Sequence, residues 1–349
     1  DLVRSRGLGD VYKRQALGPK NPFFGHAEVQ FWLAVKDGRD VGRISAQIDT
    51  LAQSLNPEAP GLFGMLAAED DLGLFQTLLE TAAGWLRARG MKVMQGPFNL
   101  NINEETGALI DGFASKPMLL MPHDLPYVAR NLEKLGFAKA KDVIAYLYDI
   151  REELPESVRR LLGRPLPPGI TVRRMDMKNL AAEIKNVTSI FNDAWSQNWG
   201  FVPLTEAETD YLSKSLKPLL HPRLTSLVER DGEPVAFMIA LPNLNEAIEG
   251  LNGKILPFGW AKLLWRLKVA GVKTARVPLM GVRRSAAKDM LGSLLPYLMI
   301  DMVRREGRQL GYTHIELSWI LEDNLPMRRM IEGLKAAPYK TYRVFEAGL

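Results

Sequence analysis

The sequence predicts an α/β (α+β) protein in which one unit is written twice, each copy a mixed, mostly antiparallel sheet flanked by helices. Three pairs of matching segments carry that expectation. Asp37-Gly38 and Asp231-Gly232 each lie between alternating apolar runs, the pattern of a two-residue β-hairpin turn. The amphipathic run 74–89, Gly90 and a strand at 91–94 match the run 294–310, Gly311 and a strand at 312–317. Both read as helix, glycine stop, strand. Asp124-Leu125-Pro126 before 132–135 matches Asp323-Asn324-Leu325-Pro326 before 331–334, and a β-rich tail follows each, at 143–148 and 341–345.

Each half therefore reads hairpin, strand, helix, strand, helix, strand pair. Changes in spacing between matching segments place insertions near 97–122 in the first half and 250–275 in the second. Arg164-Pro165-Leu166-Pro167-Pro168-Gly169 is the natural linker, which sets the expected domains at 16–160 and 161–349. Residues 1–15 (DLVRSRGLGDVYKRQ) differ in character from the rest and look like a translated sequencing-adapter scar, so they are set aside.

Composition narrows the chemistry. With 349 residues and 46% hydrophobic content there is apolar mass for two ordinary domains. The chain has no cysteine, which excludes disulfides, thiolate nucleophiles and cysteine-based zinc sites, and its four histidines form no His-x-x-x-His pair. No metal is expected. Apolar runs fall short of the roughly 18 residues a spanning helix needs, so the expected location is cytoplasmic. Setting aside the four basic and two acidic residues of 1–15 lowers the formal charge from +5 to +3, too weak a bias to argue for nucleic acid.

The order of elements resembles the GCN5-related N-acetyltransferase superfamily, and Asn131-Leu132-Glu133-Lys134-Leu135-Gly136-Phe137 looks like its C-terminal motif. The tandem arrangement is similar to Fem-type aminoacyltransferases and N-myristoyltransferase, and kinship with bacterial ceramide synthases is also suggested. This resemblance implies two acyl-CoA N-acyltransferase-like domains, with acyl-CoA as cosubstrate and an amine as acceptor. It further implies that a strand binds pantetheine along its backbone and feeds a loop that holds the coenzyme's pyrophosphate. In the first half the equivalent entry is Glu69-Asp70-Asp71, which would repel phosphate. In the second it carries Arg283, Arg284 and Lys288, so electrostatics assign the coenzyme there.

The cofactor-binding candidates are accordingly Leu279, Met280, Gly281 and Val282 on the strand, Arg283, Arg284, Ala287 and Lys288 in the turn, and Asn324, which resembles the family's coenzyme-contacting asparagine. The stretch 287–292 lacks the superfamily's loop glycines, leaving Arg284 or Lys288 to reach phosphate by side chain. On the next strand His314, Glu316 and Ser318 alternate with apolar residues and so share a face. An alkyl amine titrates near 10 and must lose a proton to attack a thioester. Glu316 is the candidate base, with Ser318 beside it; Tyr339 and Tyr342 are candidate acids for the leaving thiolate, and an amide of 279–282 is a candidate oxyanion donor.

For the acceptor, Trp195, Asn198 and Trp199 early in the second half and Asn99 and Asn101 in the first insertion are the candidates, although Asn is also a common turn residue. The segment 254–273 carries five basic residues and no acid. As a helix it would set Trp260 and Leu263 on one face and Lys262 and Arg266 on another, suited to peripheral contact with an anionic membrane, to an acyl chain, or to packing between domains. Two competitors stay open: aminoacyl transfer from charged tRNA, and a catalytically silent module that kept the scaffold but lost the phosphate loop.

Overall fold

The computed structural model describes residues 18, 20–251, 259–266, 271–288 and 292–349. The 1–15 segment, parts of 254–273 and residues 289–291 of the expected phosphate loop lie outside the described residues.

The first half runs β1 (Ala27–Lys36), β2 (Arg39–Asp49), α1 (Thr50–Leu55), β3 (Gly61–Ala68), α2 (Leu72–Arg87), β4 (Val93–Gly96), the short β5 (Phe98–Asn99), β6 (Glu105–Thr106) and β7 (Ala108–Asp111), α3 (Tyr127–Lys134) and β8 (Ala138–Asp149). Then come α4 (Glu156–Leu162), β9 (Ile170–Arg173), α5 (Leu180–Ala194), α6 (Glu206–Leu216), β10 (Thr225–Arg230), β11 (Glu233–Pro242), α7 (Leu244–Ile248) and α8 (Gly259–Trp265). The chain ends with β12 (Thr274–Val282), α9 (Arg284–Ala287), α10 (Leu295–Gln309), β13 (His314–Leu321), α11 (Leu325–Gly333) and β14 (Ala337–Gly348).

Local chemistry explains the repeated pieces. Asp37 and Gly38, and again Asp231 and Gly232, all take positive φ, the type I′ geometry that matches strand twist. Gly90 and Gly311 close α2 and α10 in the left-handed region. Buried Phe75, Leu78, Leu79 and Leu86 seat α2 on the first-half sheet, and Leu295, Met299, Ile300 and Val303 seat α10 on the second. The three acids at 69–71 have structural partners. Asp71 accepts from the Gly73 and Leu74 amides to cap α2, Asp70 pairs with Arg130, and Glu69 pairs with Arg39.

All but two strands join one twelve-stranded sheet, ordered β1-β2-β3-β4-β14-β8-β13-β12-β11-β10-β9, with β7 also on β14. The last strand of each half crosses to the other. β8 pairs with β13 and β14, both of the second half, while β14 pairs with β4, β7 and β8, all of the first. Residues 164–169 form no helix or strand, and the hydrogen-bonded sheet runs through both halves without a break.

A second tie lies at the back. His26 bonds Asp49 through Nδ1 at 3.0 Å and Glu208 of α6 through Nε2 at 3.2 Å. Burial opposes a charge on His26, but Asp49 and Glu208 outweigh it and raise the imidazole above its usual value. The folded state thus holds this proton more tightly than the unfolded chain. The stabilisation is fully present below the unfolded value of about 6.5 and is lost as pH rises through the raised folded value. Denaturant midpoints measured against pH should fall over that window, and His26→Gln should flatten the fall; an unchanged profile would refute the tie.

Candidate active site

β12 and β13 run parallel from Thr274 beside His314 to Val277 beside Leu317, and then part. Pro278 stands at the divergence and has no amide hydrogen to bridge the strands. Beyond it β12 stays with β11 and β13 stays with β8, which it pairs along its length. The parting opens a cavity of about 240 Å³. Met280, Gly281 and Val282 form one wall and Ser318 and Trp319 the facing one. Ile300 of α10 and Met327, Met330 and Ile331 of α11 line its apolar side, with Asn324 beside them. At the rim stand Trp195 and Asn198, the Trp195 indole donating to the Met280 carbonyl at 3.0 Å.

Behind Ser318 lies a buried polar centre. Ser318 Oγ donates to Glu316 Oε1 at 2.6 Å and accepts from Arg276 Nε at 2.9 Å. Arg276 Nε is also 3.3 Å from Glu316 Oε1, with both side chains almost wholly buried. Tyr339 donates its phenol proton to Glu316 Oε2. Two of these residues, Arg276 and Ser318, are also tied to a strap of first-half chain. Arg276 Nη1 donates to the carbonyls of Leu119 and Leu120, and Met121 Sδ lies 3.8 Å from Ser318 Oγ. Nearby, Lys340 donates to the Lys116 carbonyl at 2.7 Å, so residues 116–121 roof the centre.

Electrostatics follow from that burial. Desolvation, with the Glu316 charge, pushes the Tyr339 and Tyr342 phenols far up, so both stay protonated at any physiological pH. Burial pulls the Lys340 ammonium down, partly offset by Glu316. His123 is lowered by burial and by the Lys340 charge.

No family model matches the chain. Over 339 residues it is 51% identical to the bacterial ceramide synthase of Caulobacter vibrioides (strain NA1000 / CB15N), a match spanning 97% of this chain and 88% of that protein. The chain belongs to the bacterial ceramide synthase family. It is also 42% identical over 336 residues to Protein YghO of Escherichia coli (strain K12), covering 96% and 86% of the two chains. Among solved structures, a tandem GNAT protein from the clavulanic acid biosynthesis pathway aligns over 93% of this chain and 83% of its own, at 15% identity and TM-score 0.51. A GCN5-related N-acetyltransferase from Sphaerobacter thermophilus aligns over 91% and 80%, at 13% identity and TM-score 0.51. These two share the fold, and the tandem acyltransferase architecture expected from the repeat is the observed one. Family membership makes the chain an N-acyltransferase.

In this member of the ceramide synthase family the fold gathers Trp195, Asn198, Met280, Gly281, Val282, Ser318 and Asn324 around one cavity. Glu316 stands directly behind Ser318. Asn324 also caps α11 by accepting from the Met327 amide. The turn after β12 is clasped by β11, α5 and the residues just past α5: Arg283 donates to the Pro234 carbonyl and Ser189, Arg284 Nη1 to Ser196, and the Arg284 amide to the Asp193 carboxylate. Ala287 ends α9, and exposed Lys288 follows it.

Other expected residues lie elsewhere. The Leu279 side chain packs into the core with Phe237 and Ile239, because alternation turns it away from its strand neighbours. Asn99 and Asn101 hold turns, Asn99 accepting from the Met65 amide and Asn101 from the Asn103 amide, so neither lines the cavity. Trp199 lies beneath Lys141, 5.9 Å from ring centre to Nζ, away from the cavity lining. Neither tyrosine lines the cavity either. Tyr339 has committed its proton to Glu316, and Tyr342 is fully buried, so both are poorly placed to protonate a thiolate. Arg276 and Lys340 escaped the sequence reading. A lone arginine between Ala275 and Val277 in an apolar strand was the available signal, since a buried cation requires a partner.

Proposed function

We propose that this protein transfers a long acyl group from acyl-CoA to the amine of a long-chain amino alcohol. The observation that carries this reading is the cavity where β12 and β13 part, apolar at its α10 and α11 side and bounded at Ser318 by the Arg276–Glu316 pair. The Caulobacter relative is named for ceramide, an amide of such an amino alcohol. The thioester would lie along the Met280–Val282 edge, its chain against Ile300, Met327 and Met330, and its phosphates toward Arg283, Arg284 and Lys288.

Ser318 has the bonds a proton relay needs. Its hydroxyl gives its proton to Glu316 and accepts one bond from Arg276, which leaves a second lone pair for the N–H of the amine. As the amine nitrogen bonds to the carbonyl carbon and the C–S bond breaks, nitrogen yields a proton to Ser318 Oγ while the Ser318 proton passes to Glu316 Oε1. The thiolate leaves and is protonated by solvent. A backbone amide of the 279–282 edge would hold the developing oxyanion. Arg276 balances the Glu316 charge where no water reaches it. A covalent cysteine intermediate is unavailable to a chain without cysteine.

Delivery of a lipid acceptor fits α8. Trp260 and Trp265 there are 50% and 56% exposed, next to Lys262 and Arg266. No helix among the described residues is long and apolar enough to cross a membrane.

The protein's lack of thiols makes the assay clean: a thiol reagent reports only released CoA. Acyl-CoAs from acetyl to palmitoyl, offered with a long-chain amino alcohol, should release thiol and yield the amide by mass spectrometry, fastest with the long chains. Anionic vesicles should bind the protein and lose it on Trp260→Ser plus Trp265→Ser. No thiol release with any acyl length would refute the transfer; unaltered vesicle binding would refute only the docking face.

A further inference from the structure

An outer strand presents backbone N–H and C=O groups that no neighbour satisfies, so the ends of a sheet are where other chains can add to it. The two ends of this sheet differ. β9, at one end, is four residues long, and its Arg173 is paired with Glu183 and Glu229. β1, at the other, is ten residues long and among the described residues pairs with β2 alone. The His26 carbonyl points to the β2 side, where it accepts from the Thr50 amide. The Ala27 N–H on the same peptide therefore points away from β2, and alternation turns the N–H and C=O of Val29, Phe31 and Leu33 outward as well. In keeping with that direction, the Phe31 carbonyl accepts from the Gln30 side-chain amide at 3.2 Å.

The side chains of β1 divide between two faces. Trp32 and Ala34 pack on the α2 side, where the Trp32 ring meets that of Trp85 edge-on. The opposite face carries Phe31, Leu33 and Val35, which are 40%, 57% and 58% exposed. The seven residues 29–35 hold neither a charge nor a proline to guard the edge. A long apolar strand left bare in this way would template aggregation, which makes an occupant necessary.

We propose that the occupant is a second copy of this chain, with two β1 strands pairing antiparallel about a two-fold axis at Trp32. In that alignment the strand complements itself. Val29 faces the partner's Val35, Phe31 faces the partner's Leu33, and Glu28 faces the partner's Lys36. Every apolar residue of the exposed face thus meets another, and the charges that flank the stripe pair with opposite sign. Sliding the strands by two residues loses the charge pair, and sliding them by one sets apolar side chains against the wrong face. Both bonds from Arg89 to Glu28 fall on Oε1, which leaves Oε2 for the partner's Lys36. With one long uncharged edge and one short charged edge, the pairing closes on itself as a dimer and does not propagate into a filament.

The dimer is independent of the acyl transfer proposed above and is tested without it. Sedimentation of the full chain over a roughly hundredfold range of concentration should show the monomer giving way to a dimer. Phe31→Lys with Leu33→Lys sets lysine against lysine across the axis and should hold the protein monomeric, with unchanged circular dichroism because both positions are exposed. Lys36→Glu, which sets like charges opposite each other, should raise the dissociation constant several-fold. The absence of cysteine permits a second readout that needs no loss of folding or affinity. Residues opposite each other in a ladder have Cα atoms about 5.5 Å apart, within disulfide reach. Phe31→Cys with Leu33→Cys should therefore form a covalent dimer on mild oxidation, whereas Val29→Cys with Leu33→Cys, which do not face each other in this register, should not. A protein that stays monomeric throughout, or a dimer that the paired lysines leave intact, would overturn the proposal. So would a monomer that binds lipid vesicles and loses them with the paired lysines, since the stripe would then face a membrane.

Discussion

Glu316→Gln should lower kcat by about 100-fold to 10,000-fold, the range expected when a positioned proton acceptor is lost. The same change should also lower the melting temperature. Arg276 is buried against that carboxylate and also donates to Ser318 Oγ and to the carbonyls of Leu119 and Leu120. A neutral amide takes the Glu316 charge away from the buried guanidinium, and removing one partner of a buried pair typically costs about 3–5 kcal/mol. Activity and stability would then fall together, which is ambiguous on its own. Replacing both partners resolves it. Arg276→Met combined with Glu316→Leu removes the buried charges altogether and should recover most of the lost stability, because apolar residues commonly replace a buried pair at little cost. Activity should stay at the level of Glu316→Gln. Ser318→Ala, which breaks the relay while keeping the ion pair, should lose kcat with the smallest effect on unfolding. Steady-state thiol release and thermal melts on the four proteins test this set. A Glu316→Gln protein with near-normal kcat would sink the relay.

How far this centre could be read from the sequence depends on which forces are local. His314, Glu316 and Ser318 are spaced by two, so their common face was legible once the segment was read as a strand. The hairpins at Asp37-Gly38 and Asp231-Gly232 and the helix stops at Gly90 and Gly311 were legible for the same reason: a positive φ is a demand on one residue, whatever surrounds it. The burial of Glu316 was not. It depends on residues 116–121 of the first half lying over a strand of the second, and no periodicity in either segment encodes that meeting. Asn99 and Asn101 show the opposite error, polar side chains that suggested an acceptor contact but serve the turns around them. Glu69, Asp70 and Asp71 were read as unsuited to phosphate; the structure adds that a helix cap and two ion pairs already occupy them. Arg276 was missed because a single cation in an apolar strand looks like an interruption until its partner, on the neighbouring strand, is known.

Neither half should fold without the other. The patterns at 143–148 and 341–345 each announce a strand but say nothing about its neighbours, and the neighbours settle the matter. Both edges of β8 are hydrogen-bonded to second-half strands, and every strand that pairs with β14 belongs to the first half. A protein ending near residue 160 would therefore carry β8 with no partner on either side, exposing Val143, Tyr146 and Tyr148, which are buried in the intact chain. A protein beginning near 161 would expose Tyr342, Val344 and Phe345 in the same way. Large apolar side chains contribute about 1.5–3 kcal/mol each when fully buried, so losing several removes as much as the whole net stability of a typical domain, about 5–15 kcal/mol. The bared strand edges would in addition template aggregation. Residues 16–160 and 161–349 expressed separately should thus be insoluble or melt without cooperativity. Cutting the intact protein at an engineered protease site within 164–169 should do far less, because the linker carries no sheet pairing. The two fragments should stay together on size exclusion, keep the circular dichroism of the uncut chain and retain acyl transfer, since the Glu316 centre draws its roof from one fragment and its floor from the other. A soluble, cooperatively melting single half would show that the crossed strands are dispensable.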